Sequence, residues 1–198
     1  MRTRPLASVA AARTALPTLA GARLSAGPLA LRLAGAGVFA GLLALSAQVR
    51  LPLPFTPVPV TLQTMVVLLA GATLGPAGGA GAVALYLAAG LLGLPLFTTG
   101  AMFGPTCGYL LAFLPAALLV GWARRRGGFR GMVAGMVAAD ALILLVGALG
   151  LHVWTGVGFA AAFAAGSLPF VAGDALKLTA AAATSGLTVP AWRRLGGR

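Results

Sequence analysis

Charge is nearly missing from this chain, and most of what remains sits at the ends of apolar runs. Only 8% of the 198 residues are charged and 60% are hydrophobic. A soluble domain carries about 25% charged residues. This composition cannot cover a water-facing surface, so the solvent it fits is a bilayer. The net charge of +12 does not point to nucleic acid, because the one aromatic-flanked basic cluster, Arg124, Arg125, Arg126 and Arg130, is short. Arginines at segment ends are what the positive-inside rule requires.

A membrane helix needs about 20 apolar residues. Six candidate segments follow, at about 32–49, 60–74, 78–97, 108–123, 131–150 and 168–188, with a short helix at about 159–165 before the last. Proline and glycine separate them. LPLPFTPVP (51–59) cannot be regular helix, since each proline disfavours helix at the residue before it. LGPAGG (74–79) reads as a tight turn, FTTGAMFGPTCG (97–108) as an irregular loop and RRRGGFR (124–130) as a basic turn. The expected fold is an all-α integral membrane protein of six spans.

With the N-terminus cytoplasmic, Arg2, Arg4, Arg13, Arg23 and Arg32 fall inside. So do Arg124, Arg125, Arg126 and Arg130, and Arg193, Arg194 and Arg198. Only Arg50 falls outside, and Lys177 lies within the last segment. The count places both termini in the cytoplasm. The domain plan is an Arg- and Ala-rich tail at 1–31, a membrane domain at 32–190 and a basic tail at 191–198. The first tail has two readings, a transit peptide or a disordered cytoplasmic segment, and the second is the expectation.

One cysteine, Cys107, one histidine, His152, and two separated acids, Asp140 and Asp174, leave no metal set, no cofactor set and no nucleophile with a base beside it. A catalytic site is not expected. His152 and Trp154 read as interfacial belt residues. Asp140 lies mid-span without an obvious partner, and its reading stays open between a protonated acid, a backbone-bonded one and a pocket wall.

The informative pair is Asp174 and Lys177 in PFVAGDALK. Spaced three apart they share a helix face, and charges at membrane depth turn to a cavity or to each other. Either they form a self-neutralising structural pair, or they line a pocket for a small ligand. Thr61 and Gln63, with Thr106 and Tyr109, stand at the same expected depth, and Phe55 in the stiff proline loop is placed to close over a ligand. In the first segment Ala36, Ala40 and Ala44 recur every fourth residue beside Gly37 and Gly41. Such a stripe lets helices approach closely, within the bundle or against another subunit.

Four blocks in order, PLPFTPVPVTLQTMVVLLAG (52–71), LGPAGGAGAVALYLAAGLLGLP (74–95), FGPTCGYL (103–110) and PFVAGDALK (169–177), resemble the BioY family, the biotin-specific S components of energy-coupling factor (ECF) transporters. The resemblance spans about 32–190, with Cys107 standing where glycine is common. It implies an S-component-like bundle in a bacterial or archaeal plasma membrane that binds biotin near its extracytoplasmic face. It implies delivery inward by reorientation against a transmembrane coupling subunit served by two ABC-type ATPases. This chain has no GxxxxGK[ST] loop, so ATP hydrolysis is expected in those partners. The resemblance puts Asp174 and Lys177 on the ligand, with Thr61, Gln63, Phe55, Thr106 and Tyr109 around it. It makes the Ala36, Ala40, Ala44 stripe the docking face for the coupling subunit. Two rival readings are an S component for another vitamin and a membrane scaffold in which the ion pair is structural.

Overall fold

The computed structural model describes residues 28–98 and 102–197, so most of the N-terminal tail lies outside the described residues. Helix α1 (Pro28–Gln48) leads into a two-stranded antiparallel hairpin, β1 (Arg50–Leu53) and β2 (Thr56–Thr61). Helices α2 (Gln63–Leu91), α3 (Cys107–Thr155) and α4 (Phe159–Gly166) follow, then a 3-10 turn (Leu168–Phe170) and α5 (Val171–Arg194). Among the described residues, four helical stretches are long and apolar enough to cross a membrane, those of α1, α2, α3 and the run Phe159–Arg194. The first begins at Pro28, four residues before the expected start, and the last carries Arg193 and Arg194 in its final turn.

Two of these stretches are broken. A straight helix of 49 residues, the length of α3, would run about 73 Å, far beyond a hydrocarbon core of about 30 Å. Gly128 interrupts it with φ 57° and ψ −138°, a conformation that needs the missing Cβ. The two arms then fold back on each other, for a Cβ at Gly150 would stand 2.6 Å from the Cα of Gly108. Gly75, with φ 77° and ψ −177°, breaks α2 in the same way. Here a Cβ at Gly79 would stand 2.7 Å from the Cα of Gly71. Both breaks fall in segments read as turns from sequence.

The α2 break leaves a debt that another helix settles. Pro76 has no N–H, so the carbonyl of Ala72 loses its helical donor. The Arg124 guanidinium donates to that carbonyl instead. Gly121 lets α3 come close enough, since a Cβ there would sit 2.6 Å from the carbonyl carbon of Gly75.

The core lies around α2, which packs on α1, α3 and α5. Leu43, Val67, Leu68, Val83, Tyr86, Ala117, Val120, Met136 and Ile143 are fully buried or nearly so. The outer faces carry Leu33, Leu45, Leu118, Val137, Leu145, Leu176 and Leu187, all well exposed. An apolar exterior around an equally apolar interior is the pattern of a bundle solvated by lipid.

The proline segment 51–59 is not helical and forms the hairpin. Arg50 pairs with Thr61, Leu51 with Val60 and Leu53 with Thr56, with an irregularity at Pro52, where the ladder donor is absent. Pro57 and Pro59 are two apart, which puts both missing donors on the same edge of β2. Thr56 and Val58 are buried, whereas Pro57 is exposed. The hairpin thus caps one end of the bundle; the arginine turn at 124–130 marks the other.

Candidate functional site

Helix α5 turns one narrow stripe inward: Asp174, Lys177, Ala181 and Ser185 are buried, at helical spacing. Asp174 and Lys177 meet as an ion pair, Nζ donating to Oδ1 at 2.7 Å. Only 3% of Asp174 and 9% of Lys177 is exposed. The ammonium keeps two hydrogens, and the carboxylate keeps Oδ2, for other partners.

The pair forms one wall of a cavity beneath the hairpin. Val58, Pro59 and Thr61 come from β2 and its end, and Gln63 and Thr64 from the start of α2. The first arm of α3 gives Tyr109, Leu110 and Phe113, with Thr106 just before it, and the second arm gives Ile143 and Leu144. Thr98 and Phe170 complete the lining. The cavity measures about 40 Å³, room for about three water molecules.

Gln63 is the centre of a polar network. Its Nε2 donates to the Tyr86 hydroxyl (2.8 Å), and its Oε1 accepts from Thr98 (2.9 Å) and more weakly from Thr61 (3.4 Å). Tyr86 in turn donates to the carbonyl of Leu96 (3.2 Å) and sets its ring edge-on to Phe97, with centroids 5.6 Å apart. One amide hydrogen of Gln63 is left over. Tyr109 donates its hydroxyl to the carbonyl of Gly166, which fixes the ring between the two arms of α3. Ser167 donates to the carbonyl of Leu144 (3.0 Å) and ties the α4–α5 junction to the same wall. The Arg50 guanidinium donates to the carbonyl of Thr98 (2.5 Å), which clasps the base of the hairpin to the loop after α2.

The structure therefore brings together six of the residues singled out from sequence: Thr61, Gln63, Thr106, Tyr109, Asp174 and Lys177. It does not bring Phe55, which stands 61% exposed at the tip of the hairpin. The hairpin register turns Val58 inward instead. Tyr86, Thr98 and Phe170 were missed. Tyr86 sat inside an apolar run, and nothing in sequence shows that it answers Gln63 from 23 residues away. Thr98 was passed over as part of a loop. Asp140 is half-buried, and its Oδ1, fully buried, has no hydrogen-bond partner among the described residues. It stands three and four residues before Ile143 and Leu144 on the same arm, one turn below the cavity wall.

On α1, Ala40 is buried while Ala36 and Ala44 are half-buried against the core. Gly37 and Gly41 beside them face open space. Trp154 is 57% exposed, and His152 Nδ1 bonds the carbonyl of Val157 at 2.5 Å. Among the described residues no group of three His, Cys, Asp or Glu could hold a metal ion.

Fold and site together define a helical membrane protein with a polar cavity and a buried ion pair at one end of its bundle. The BioY family model matches residues 13–195. The biotin transporter BioY of Thermotoga maritima is 37% identical over 153 residues, covering 74% of this chain and 89% of that one. The biotin transporter BioY2 of Lactococcus lactis is 36% identical over 134 residues, covering 64% and 74%. A crystal structure of the S component for biotin from an ECF-type ABC transporter superposes with a TM-score of 0.72 at 25% identity, covering 78% of this chain and 88% of that one. The chain belongs to the BioY family.

Proposed function

We propose that this protein is the biotin-binding S subunit of an ECF-type uptake transporter in a bacterial or archaeal plasma membrane. The observation that carries the reading is the buried Asp174–Lys177 pair on the wall of the cavity, in a chain whose relatives are named biotin transporters. The arms of α2 and α3 on either side of Gly75 and Gly128 each serve as one span. With α1 and α5 they make six, with both termini cytoplasmic and the hairpin extracytoplasmic. The arginine-rich turn supports this orientation.

Biotin offers a ureido ring with two N–H donors and a carbonyl, an apolar thioether ring and a carboxylate tail. Asp174 Oδ2 accepts from a ureido N–H, and the free hydrogens of Lys177 meet the ureido oxygen or the carboxylate. Thr61, Gln63, Thr106 and Tyr109 give the remaining polar contacts among Val58, Leu110, Phe113, Ile143 and Phe170. A ligand site usually encloses about 300 Å³ or more, so a wall must move for biotin to enter. The hairpin held by Arg50, with Phe55 at its tip, is that wall. Release inward follows reorientation of the subunit against a coupling subunit powered by two partner ATPases. The border of α1 where Gly37 and Gly41 open beside Ala36, Ala40 and Ala44 docks that subunit.

Calorimetric titration of biotin into the purified protein, with Lys177→Ala alongside, tests the reading. One-to-one binding that the variant loses supports it. Absence of heat and of any thermal shift by biotin overturns it, and displacement of bound biotin by another vitamin at equal concentration reassigns the ligand.

A further inference from the structure

We infer that the arginine-rich end carries a second binding site, for the phosphate of an anionic lipid headgroup. Arg32 from α1, Arg125 from α3 and Trp192 from α5 line one pocket against the broken stretch of α2, at Leu74, Ala77 and Gly78. Two guanidinium groups that share a pocket repel each other unless an anion stands between them. No carboxylate of the described residues lines the pocket. The protein's acids are Asp140 and Asp174. Asp174 is committed to Lys177 at the other end of the bundle, and Asp140 lies level with the turn below the cavity wall. The repulsion spreads further, since Arg125 and Arg193 both bear on Arg124.

The pocket is built rather than incidental. The Arg125 side chain lies over Gly75, with Nη2 3.2 Å from where a Cβ would stand, so the break in α2 makes its seat. The Trp192 ring packs on Gly35, one turn beyond Arg32, where a Cβ would meet the ring at 2.5 Å. Trp192 is only 9% exposed, and its indole N–H, fully buried, has no acceptor among the described residues. Two guanidinium side chains line the pocket, and no carboxylate among the described residues answers them. The volume, about 70 Å³, is the room of about five waters, on the scale of a tetrahedral phosphate. Anionic headgroups concentrate in the cytoplasmic leaflet and favour basic pockets between helices. The inference uses the orientation proposed above but is independent of which ligand fills the cavity.

Thermal unfolding of the full chain in nanodiscs of phosphatidylcholine, with and without phosphatidylglycerol, tests it, alongside native mass spectrometry of retained lipid. The expected result is a higher Tm and retained phosphatidylglycerol in the wild type. Arg32→Gln with Arg125→Gln should weaken retention about thirtyfold. The same charge removed outside the pocket, Arg126→Gln with Arg130→Gln, should leave it. Equal losses in the two double variants would mean diffuse attraction and overturn the site. So would stabilisation by millimolar inorganic phosphate that matches the lipid effect, which assigns the pocket to a free anion. The comparison of the two lipids in the wild type stands even if a variant fails to fold.

Discussion

Replacing Asp174 and Lys177 together separates a structural ion pair from a ligand site. Removing one partner alone is costly. In Lys177→Ala the carboxylate, 3% exposed, loses its counter-charge. Breaking a buried pair by removing one partner costs about 3–5 kcal/mol. For a chain of this size that lowers Tm by roughly 6–20 °C. Asp174→Leu with Lys177→Met leaves no buried charge, and such exchanges are neutral or stabilising by about 1–4 kcal/mol. The double variant should therefore melt at or above the wild-type temperature. If the pair exists to hold ligand, that well-folded variant no longer gains stability from biotin, whereas the wild type gains about 2.7 kcal/mol at a hundredfold excess over Kd. Differential scanning fluorimetry with and without biotin reads both quantities. A double variant that still shifts with biotin would refute the assignment of the pair to the ligand. One that melts far below the single variant would refute the charge-balance reasoning.

Arg50→Gln removes the clasp to the Thr98 carbonyl. A charged hydrogen bond is worth about 1.5–3 kcal/mol, so the hairpin should open more readily and biotin dissociate at least about tenfold faster in stopped-flow chase; an unchanged rate places the moving wall elsewhere. Arg124→Met orphans the Ala72 carbonyl left by Pro76 and should cost about 1–3 kcal/mol, read as a lower Tm with biotin affinity unchanged. Gly121→Ala drives a Cβ into the backbone at Gly75 and should cost about 1–3 kcal/mol. Gly37→Ala, where a Cβ meets nothing, should melt like the wild type. Gly41→Leu should leave biotin binding intact and abolish co-purification with the coupling subunit, and a preserved complex would move the docking face away from α1.

Much of the fold is legible in the chain because bilayer physics acts on composition directly. Scarcity of charge names the solvent, and the length of each apolar run limits it to one crossing. Glycine and proline mark the turns by conformational necessity, and Gly75 and Gly128 do break the helices where LGPAGG and RRRGGFR are found. Cavity residues were legible where a polar group interrupts an apolar face, as with Asp174, Lys177 and Gln63. Tyr86 and Thr98 were not, because their role lies in meeting Gln63 across the fold, and no local pattern records a partner that far away. Phe55 misled for a related reason. It falls in the turn between β1 and β2, and where a hairpin tip stands is set by how its strands pair and pack, not by the residue at the tip.

By itself, then, the sequence determined that the chain lives in lipid, roughly where it reverses and which ionisable residues, Asp140, Asp174 and Lys177, are stranded at depth. Each of these follows from the cost of moving a polar or charged group into hydrocarbon, which is paid residue by residue and needs no knowledge of neighbours. Tertiary structure alone decided that the proline segment is a clasped hairpin, that Arg124 answers the carbonyl freed by Pro76, and that Arg32, Arg125 and Trp192 share a pocket. Those outcomes turn on glycine contacts that let backbones approach and on hydrogen bonds between segments far apart in the chain, and only the packed bundle brings such groups within reach.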